Sequence, residues 1–353
     1  AIMFSYQSIR PYLFKSDPEK AHHFIEICAK LAPKIPGILP LLSQKTCIDN
    51  PILAQKIDGM DFYNPIGLAA GFDKNATMIH SLSALGFSHL ELGAATPNPQ
   101  SGNEKPRLWR HIQEESIQNA MGFNNDGADT IANRLEKLYP FAIPLGLNIG
   151  KNKTTPQEKA LEDYLSLAKS FANCTDYLSV NISSPNTPNL RDLQNESFIQ
   201  ELFLELCKIY QKPIYLKIAP DLSIDSILKL TEVAINNGAK GIIATNTTLD
   251  YSLLPNPKEK GGLSGKVLAQ KSKEILKEIA KVYAKKTTII SVGGIATPQD
   301  VFERITLGAN LVQIYTSLIF EGPMLIKKLN EGLVQILEDH HFVNIQDAIG
   351  INL

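Results

Sequence analysis

Short apolar, β-favouring runs recur along the chain at residues 65–70 (PIGLAA), 87–94 (FSHLELGA), 143–149 (IPLGLNI), 176–182 (DYLSVNI), 213–219 (PIYLKIA), 240–246 (KGIIATN), 287–293 (TTIISVG) and 310–315 (NLVQIY). Between most of them the apolar residues fall at helical spacing, as at 160–172, 196–210, 223–237, 266–284 and 298–307. A continuous apolar run suits a parallel strand buried on both faces, and an amphipathic helix after it covers the sheet from outside. Eight such units predict an α/β fold, a closed (β/α)8 TIM barrel, rather than an open doubly wound sheet. Residues 51–353 form the barrel domain, with residues 1–50 standing ahead of it.

Polar residues end these runs: Asn148, Asn181, Lys217, Thr245 with Asn246, and Tyr315. A buried strand tolerates a polar side chain only where it finds a partner, and in a barrel the carboxyl ends of all strands meet on one rim. Their convergence predicts an active site there. The connection 95–142 is long, and its expected irregular course marks it as functional. GGLSG (261–265) reads as a further glycine-rich turn.

The amino-terminal segment follows a different pattern. Asp17 before Pro18 is a helix start, and Ala21, Phe24, Ile25, Cys28, Leu31 and Ala32 follow as one apolar stripe. A proline-punctuated apolar stretch covers 35–42. Six Lys or Arg against three acids give residues 1–45 a net charge of +3. Stripe and charge together suit a surface lying on an anionic bilayer, although a helical cap on the barrel would share the pattern.

Composition narrows the classes. The 353 residues carry 35 Lys+Arg and 36 Asp+Glu, so no global basic field recruits nucleic acid. No run reaches the roughly 18 apolar residues of a spanning helix. Cys28, Cys47, Cys174 and Cys207 are spaced neither as a disulfide framework nor as a zinc site, and no metal is expected.

The loops after the strands carry candidate chemistry. LAAGFDKNAT sets Gly71 where backbone can approach a flat ligand and Lys74 as a cation at the rim. NISSPNTPNLRDLQ is stiff and rich in hydrogen-bonding groups, with hydroxyls available for proton transfer. Lys217 should point into the barrel mouth and need an anion, such as the N1/O2 edge of a reduced flavin. SVGGI (291–295) and QIYTS (313–317) occupy the seventh and eighth loops, a usual phosphate site in such barrels. Neither a Rossmann nor a P-loop pattern is present. These residues describe a barrel enzyme holding a phosphorylated flat cofactor and a small polar planar substrate.

The stretches LAAGFDKN, NAMGFNN, NIGKNK, NISSPNTPNLRDLQ, LKIAPDL, IATNTT, GGLSG, SVGGI and VQIY together resemble the dihydroorotate dehydrogenase family, in that family's order and over essentially the whole chain. SDPEKAHHF (16–24) and Ser184, where soluble relatives carry cysteine, resemble its membrane-associated, quinone-dependent class. The resemblance implies FMN-dependent oxidation of (S)-dihydroorotate to orotate in pyrimidine synthesis, with electrons passed to a quinone. It implies a peripheral protein on the cytoplasmic face of the cell membrane, touching an anionic lipid surface, with no nucleic acid and no obligate protein partner.

Carried over by position, Ser184 is the implied base for the C5 proton while hydride leaves C6 for the flavin. A free serine is a weak base, so its proton would leave through Thr187 or a water. The implied substrate residues are Lys74, Asn119, Ala120, Met121, Gly122, Phe123, Asn181, Asn186, Asn246 and Thr247. The implied FMN residues are Ala70, Gly71, Phe72, Asp73, Lys74, Ala94, Asn148, Asn181, Lys217, Thr245, Gly265, Gly294, Tyr315 and Thr316, with the phosphate near Gly294 and Thr316. His22, Arg110 and Tyr315 would line the quinone tunnel. Ala94 stands where the family commonly has a hydroxyl residue, and Thr316 where it commonly has serine.

Three rival readings make different demands. A soluble dihydroorotate dehydrogenase using fumarate or NAD would need neither residues 1–50 nor Ser184. A flavin-dependent tRNA dihydrouridine synthase would be expected to show a basic face and a cysteine acid. A flavin- or lipid-binding barrel without turnover would be expected to lack Ser184 or Lys217.

Overall fold

The computed structural model describes residues 5–353, and in it all eight predicted runs are neighbouring parallel strands of one closed barrel. The barrel strands are Ile66–Leu68, His89–Ala95, Leu145–Ile149, Tyr177–Asn181, Ile214–Ile218, Gly241–Ala244, Thr288–Val292 and Leu311–Ile314, and the eighth pairs with the first. Side chains alternate across the wall, as a pleated strand requires. In the fourth strand Leu178 and Val180 join the apolar layer beneath the helices, while Tyr177, at the strand's start, packs with Tyr215 inside the barrel. Small residues make room for these rings: a Cβ on Gly146 would lie 2.0 Å from the Tyr177 ring, and one on Gly67 2.1 Å from His89.

Helices Ala160–Phe171, Glu196–Ile209, Ile224–Asn236, Ala269–Tyr283 and Pro298–Thr306 fill the predicted segments to within a few residues. Three of their starts are fixed by side-chain caps, Asn195 on the Phe198 N–H, Ser223 on the Ser226 N–H, and Thr297 with Asp300 as a reciprocal pair. A hairpin of Gln55–Ile57 and Met60–Phe62 plugs the barrel floor. Asp58 at its turn accepts from the Tyr215 hydroxyl at 2.6 Å and from Thr288 Oγ1 at 2.8 Å.

Two segments differ from the pattern their sequences predict. The connection 95–142 is not irregular, because Leu108–His111 and Ser116–Asn119 form an antiparallel pair and Ala128–Glu136 a helix. GGLSG is not a turn either. Gly262–Gly265 is a strand that completes this pair as a three-stranded sheet beside the barrel mouth.

Three helices precede the barrel: α1 (Tyr6–Lys15), α2 (Pro18–Leu31) and α3 (Ile38–Thr46). Asp17 caps α2 by accepting the N–H groups of Glu19 and Lys20, as its sequence position predicts. The first four residues of the expected 1–50 segment lie outside the described residues. Among those described, no helix is long and apolar enough to cross a membrane.

Candidate active site

One cavity opens at the carboxyl ends of the strands. It is lined by Ala70, Gly71, Lys74, Ala94, Asn119, Met121, Gly122, Phe123, Asn148, Asn181, Ser184, Asn186, Lys217, Thr245, Asn246, Thr247, Gly265, Gly294, Tyr315 and Thr316. The strand-end convergence seen in the sequence therefore places these residues around a common space. Three expected ligand residues do not line it. Phe72 turns to the far side of its loop, towards His22. Asp73 is buried and spends its carboxyl oxygens on the Thr77 and Met78 N–H groups. Ala120 is buried with its carbonyl accepting from Asn103.

Beneath the cavity runs a fully buried polar layer. Glu91, absent from the sequence reading, accepts from Asn148 Nδ2 at 3.1 Å, Tyr177 OH at 3.2 Å and Gln313 Nε2 at 2.8 Å. Asn148 in turn accepts from Asn181 Nδ2 at 2.9 Å. The Asn181 Oδ1 then receives the Ser183 and Ser184 N–H groups, which fixes the start of the serine loop. Each amide has its orientation dictated by the next, and that rigidity is what a preorganised site needs.

Lys217 rises into this layer from the fifth strand. Burial pulls its ammonium below the ordinary lysine range, against the charge of Glu91. Lys217 is 6% exposed and donates no hydrogen bond to any described residue, so its proton faces the cavity with capacity unused. That is a specific fit to the electron-rich edge of the expected FMN. Gly293, Gly294, Thr316 and Ser317, around which the phosphate is expected, line the cavity together. Gly294 has φ +72° and an added Cβ would strike Ala269 at 2.4 Å, so no larger residue keeps this loop's course. Ser317 Oγ is buried without a partner among the described residues.

On the substrate side Ser184 is buried, and its Oγ accepts the Asn186 N–H at 3.3 Å. Asn186 Nδ2 donates to Asn119 Oδ1 at 3.0 Å. Thr187 Oγ1 and Thr247 Oγ1 are buried with no partner among the described residues. Lys74 donates to the Gly71 carbonyl at 2.7 Å. Burial of its ammonium, then the charge of Arg107, hold it down to about 8, against Glu19, Asp73 and Glu26. The wall therefore offers several neutral amides, free hydroxyls and a cation, which suits a polar ring bearing a carboxylate.

A second cavity, about 320 Å³ and mostly apolar, lies under α1 and α2. Its wall includes His22, Phe72, Arg110 and Tyr315. Tyr315, Leu108 and Ile117 line both cavities, so they form the partition between them. From α2 inward, the rings of His22 and Phe72 meet edge to face at 5.0 Å, and Phe72 meets Tyr315 at 5.4 Å. Burial, then the charge of Lys74, pull His22 down to about 4, and burial pushes Tyr315 up to about 12; both are neutral at pH 7. Arg110 sits over the Phe14 ring at 4.7 Å and donates to the Ser16 carbonyl at 2.9 Å, tying the strand Leu108–His111 to the α1–α2 corner. Among the described residues no cluster of His, Cys, Asp or Glu is placed to hold a metal.

The sequence family described as dihydroorotate dehydrogenase matches residues 52–337. A dihydroorotate dehydrogenase (quinone) from a Nitratiruptor species is 54% identical over 348 residues, covering 99% of both chains. One from Sulfurimonas denitrificans is 54% identical over 353 residues, again with 99% of each covered. A crystal structure of DHODH in complex with ferulenol from Eimeria tenella superposes with a TM-score of 0.87 at 34% identity, covering 98% of each chain.

Proposed function

This chain belongs to the dihydroorotate dehydrogenase family, and from that premise we propose how its two cavities divide the reaction. The protein oxidises (S)-dihydroorotate to orotate in pyrimidine synthesis, with a quinone as electron acceptor. Bound FMN supplies the two-electron store between the two substrates. The chain's own residues bind, orient and move protons.

In the mouth cavity Lys74 takes the substrate carboxylate, while Asn119, Asn186 and Asn246 hold the ring amides and carbonyls. Ser184 Oγ removes the C5 proton. Its own proton must leave as it does so, and Thr187, buried close by in sequence with an unpartnered Oγ1, is the candidate relay. Lys217 would hold the electron-rich edge of the flavin and stabilise negative charge there. The apolar cavity takes the quinone ring against Tyr315, whose place with Leu108 and Ile117 on both walls carries this reading.

The amino-terminal helices are the entrance from the lipid. Among the described residues, nine of the eighteen exposed large apolar side chains lie between Ile9 and Leu41, including Phe24 and Leu31 of α2. Such a patch with a basic excess seats a peripheral protein on an anionic surface, here the cytoplasmic face of the cell membrane. A cavity-filling Ala29→Trp variant tests the division: Ala29 lines the apolar cavity only. Flavin reduction by dihydroorotate should persist while reoxidation by a short-chain quinone slows by about tenfold or more. Equal slowing of both would refute two separate cavities.

A further inference from the structure

The helix that walls the quinone cavity also reaches the dihydroorotate site. Glu19, in the first turn of α2, receives Arg107 Nη2 at 2.6 Å and Nε at 3.2–3.3 Å. The same guanidinium turns Nη1 the other way, onto the carbonyls of Ser101 at 2.6 Å and Asn103 at 2.8 Å. The Asn103 amide then donates to the Ala120 carbonyl at 3.0 Å and the Asn186 carbonyl at 2.9 Å. Asn186 is the residue whose N–H meets Ser184 Oγ. Hydrogen bonds joined through the residues Asn103 and Asn186 thus link α2 to the hydroxyl of the proposed base.

Two glycines are cut to this line. An added Cβ on Gly102 would lie 2.8 Å from Arg107 Nη1, and one on Gly122 would lie 2.7 Å from the Asn103 amide. Both have positive φ. At Gly102 a Cβ would also strike the Met121 carbonyl, at 2.3 Å, so the chain is packed closely about the Arg107 and Asn103 groups and their placement is not that of an ion pair on the surface.

Resting on the reading of Ser184 as base, we propose that Glu19 and Arg107 are positioning residues for dihydroorotate oxidation, a clamp by which α2 seats the Ser184 loop. Helix α2 then serves both half-reactions, the first through Glu19 and the second through the wall of the apolar cavity. The planar fork is needed because it holds a carboxylate and two carbonyls at fixed angles, which a lysine ammonium does not. Burial works to raise the Glu19 carboxyl, but hydrogen bonding and charge from Arg107, with help from Lys105, hold it below the usual range.

The clamp also carries charge to Lys74. The charged or titratable groups facing that ammonium are Arg107 from just before the strand Leu108–His111, Glu19, His22 and Glu26 from α2, and Asp73 from its own loop. Glu19 favours the ammonium form and Arg107 opposes it. Neutralising Glu19 therefore moves deprotonation of Lys74 to lower pH.

The test is anaerobic reduction of the full-length, FMN-loaded protein by dihydroorotate, followed by flavin bleaching. Glu19→Gln and Arg107→Lys should keep their FMN and thermal midpoint yet reduce about tenfold more slowly at saturation, as a displaced reacting group does. Glu19→Gln should also bring the alkaline limb of the reduction rate at subsaturating dihydroorotate to lower pH, which a merely structural residue would not do. Lys105→Ala, which removes a second cation from Glu19 but leaves the fork, should behave as wild type. If Glu19→Gln fails to fold, Arg107→Lys alone decides. Rates within about twofold of wild type for both variants, beside a slow Ser184→Ala, overturn the clamp and leave the base in place. Near-normal reduction in Ser184→Ala removes the base assignment and the clamp with it.

Discussion

Asn181 Nδ2 donates to Asn148 Oδ1 at 2.9 Å, and neither amide has freedom to turn over. Asn148 is held from below because its own Nδ2 donates to Glu91 and Ser179. Asn181 is held from above because its Oδ1 receives the Ser183 and Ser184 N–H groups and Asn246 Nδ2. The serine loop is thus registered against a carboxylate at the centre of the barrel.

This relationship makes Asn181→Asp informative. The variant sets an acceptor against Asn148 Oδ1, and a flip of Asn148 would turn its oxygen onto Glu91. The clash should cost about 1–3 kcal/mol of stability, read as a lowered denaturant midpoint, with flavin reduction slowed as the loop shifts. Wild-type stability and reduction together would mean that the chain of amides is not the support described.

Lys217→Ala removes a buried cation at the cavity floor. Loss of a charge-assisted hydrogen bond should weaken FMN binding by about tenfold or more, seen as loss of visible absorbance during gel filtration. The flavin potential should fall as well, since reduced-state charge loses its partner. Unchanged retention and potential would withdraw the residue from the cofactor edge.

Lys74 sets an alkaline limit on substrate capture. With its ammonium held near 8 in the free protein, the charged form is lost as pH rises through that value. Because kcat/KM reports the free enzyme, it should fall above about pH 8 while kcat at saturation holds to higher pH. A kcat/KM that stays flat well into the alkaline range would contradict a role for the ammonium in holding the carboxylate.

The eight strands and their helices were legible because burial on both faces leaves an unmistakable apolar run. The polar strand ends were legible because each broke such a run. Glu91 was not: one acid in FSHLELGA carries no mark of lying inside the barrel, and its partners are 57 to 222 residues away. The strands Leu108–His111 and Ser116–Asn119 are mostly polar, and the pairing of the second with Gly262–Gly265 is long-range. Helix α1 escaped notice since it contains Pro11 and buries no residue. Arg107 and Glu19 stand 88 positions apart, and only the fold brings them together.

The exposed apolar face of the amino-terminal helices predicts lipid binding. Phe24 and Leu31 are 55% and 49% exposed, so Phe24→Asp with Leu31→Asp should fold normally. Sedimentation with vesicles containing anionic lipid should fall several-fold against wild type and weaken further with salt. Equal sedimentation of both proteins would place the bilayer contact elsewhere.

The central claim, that dihydroorotate electrons leave through the apolar cavity to a quinone, is tested most directly by choice of acceptor. Purified FMN-loaded protein is given dihydroorotate with a short-chain quinone, fumarate or NAD as the only oxidant, and orotate formation is followed. Sustained turnover with the quinone and none above background with fumarate or NAD is the expected result. Turnover with fumarate or NAD but not with quinone would contradict it, leaving the substrate cavity intact and the role of the amino-terminal helices without support.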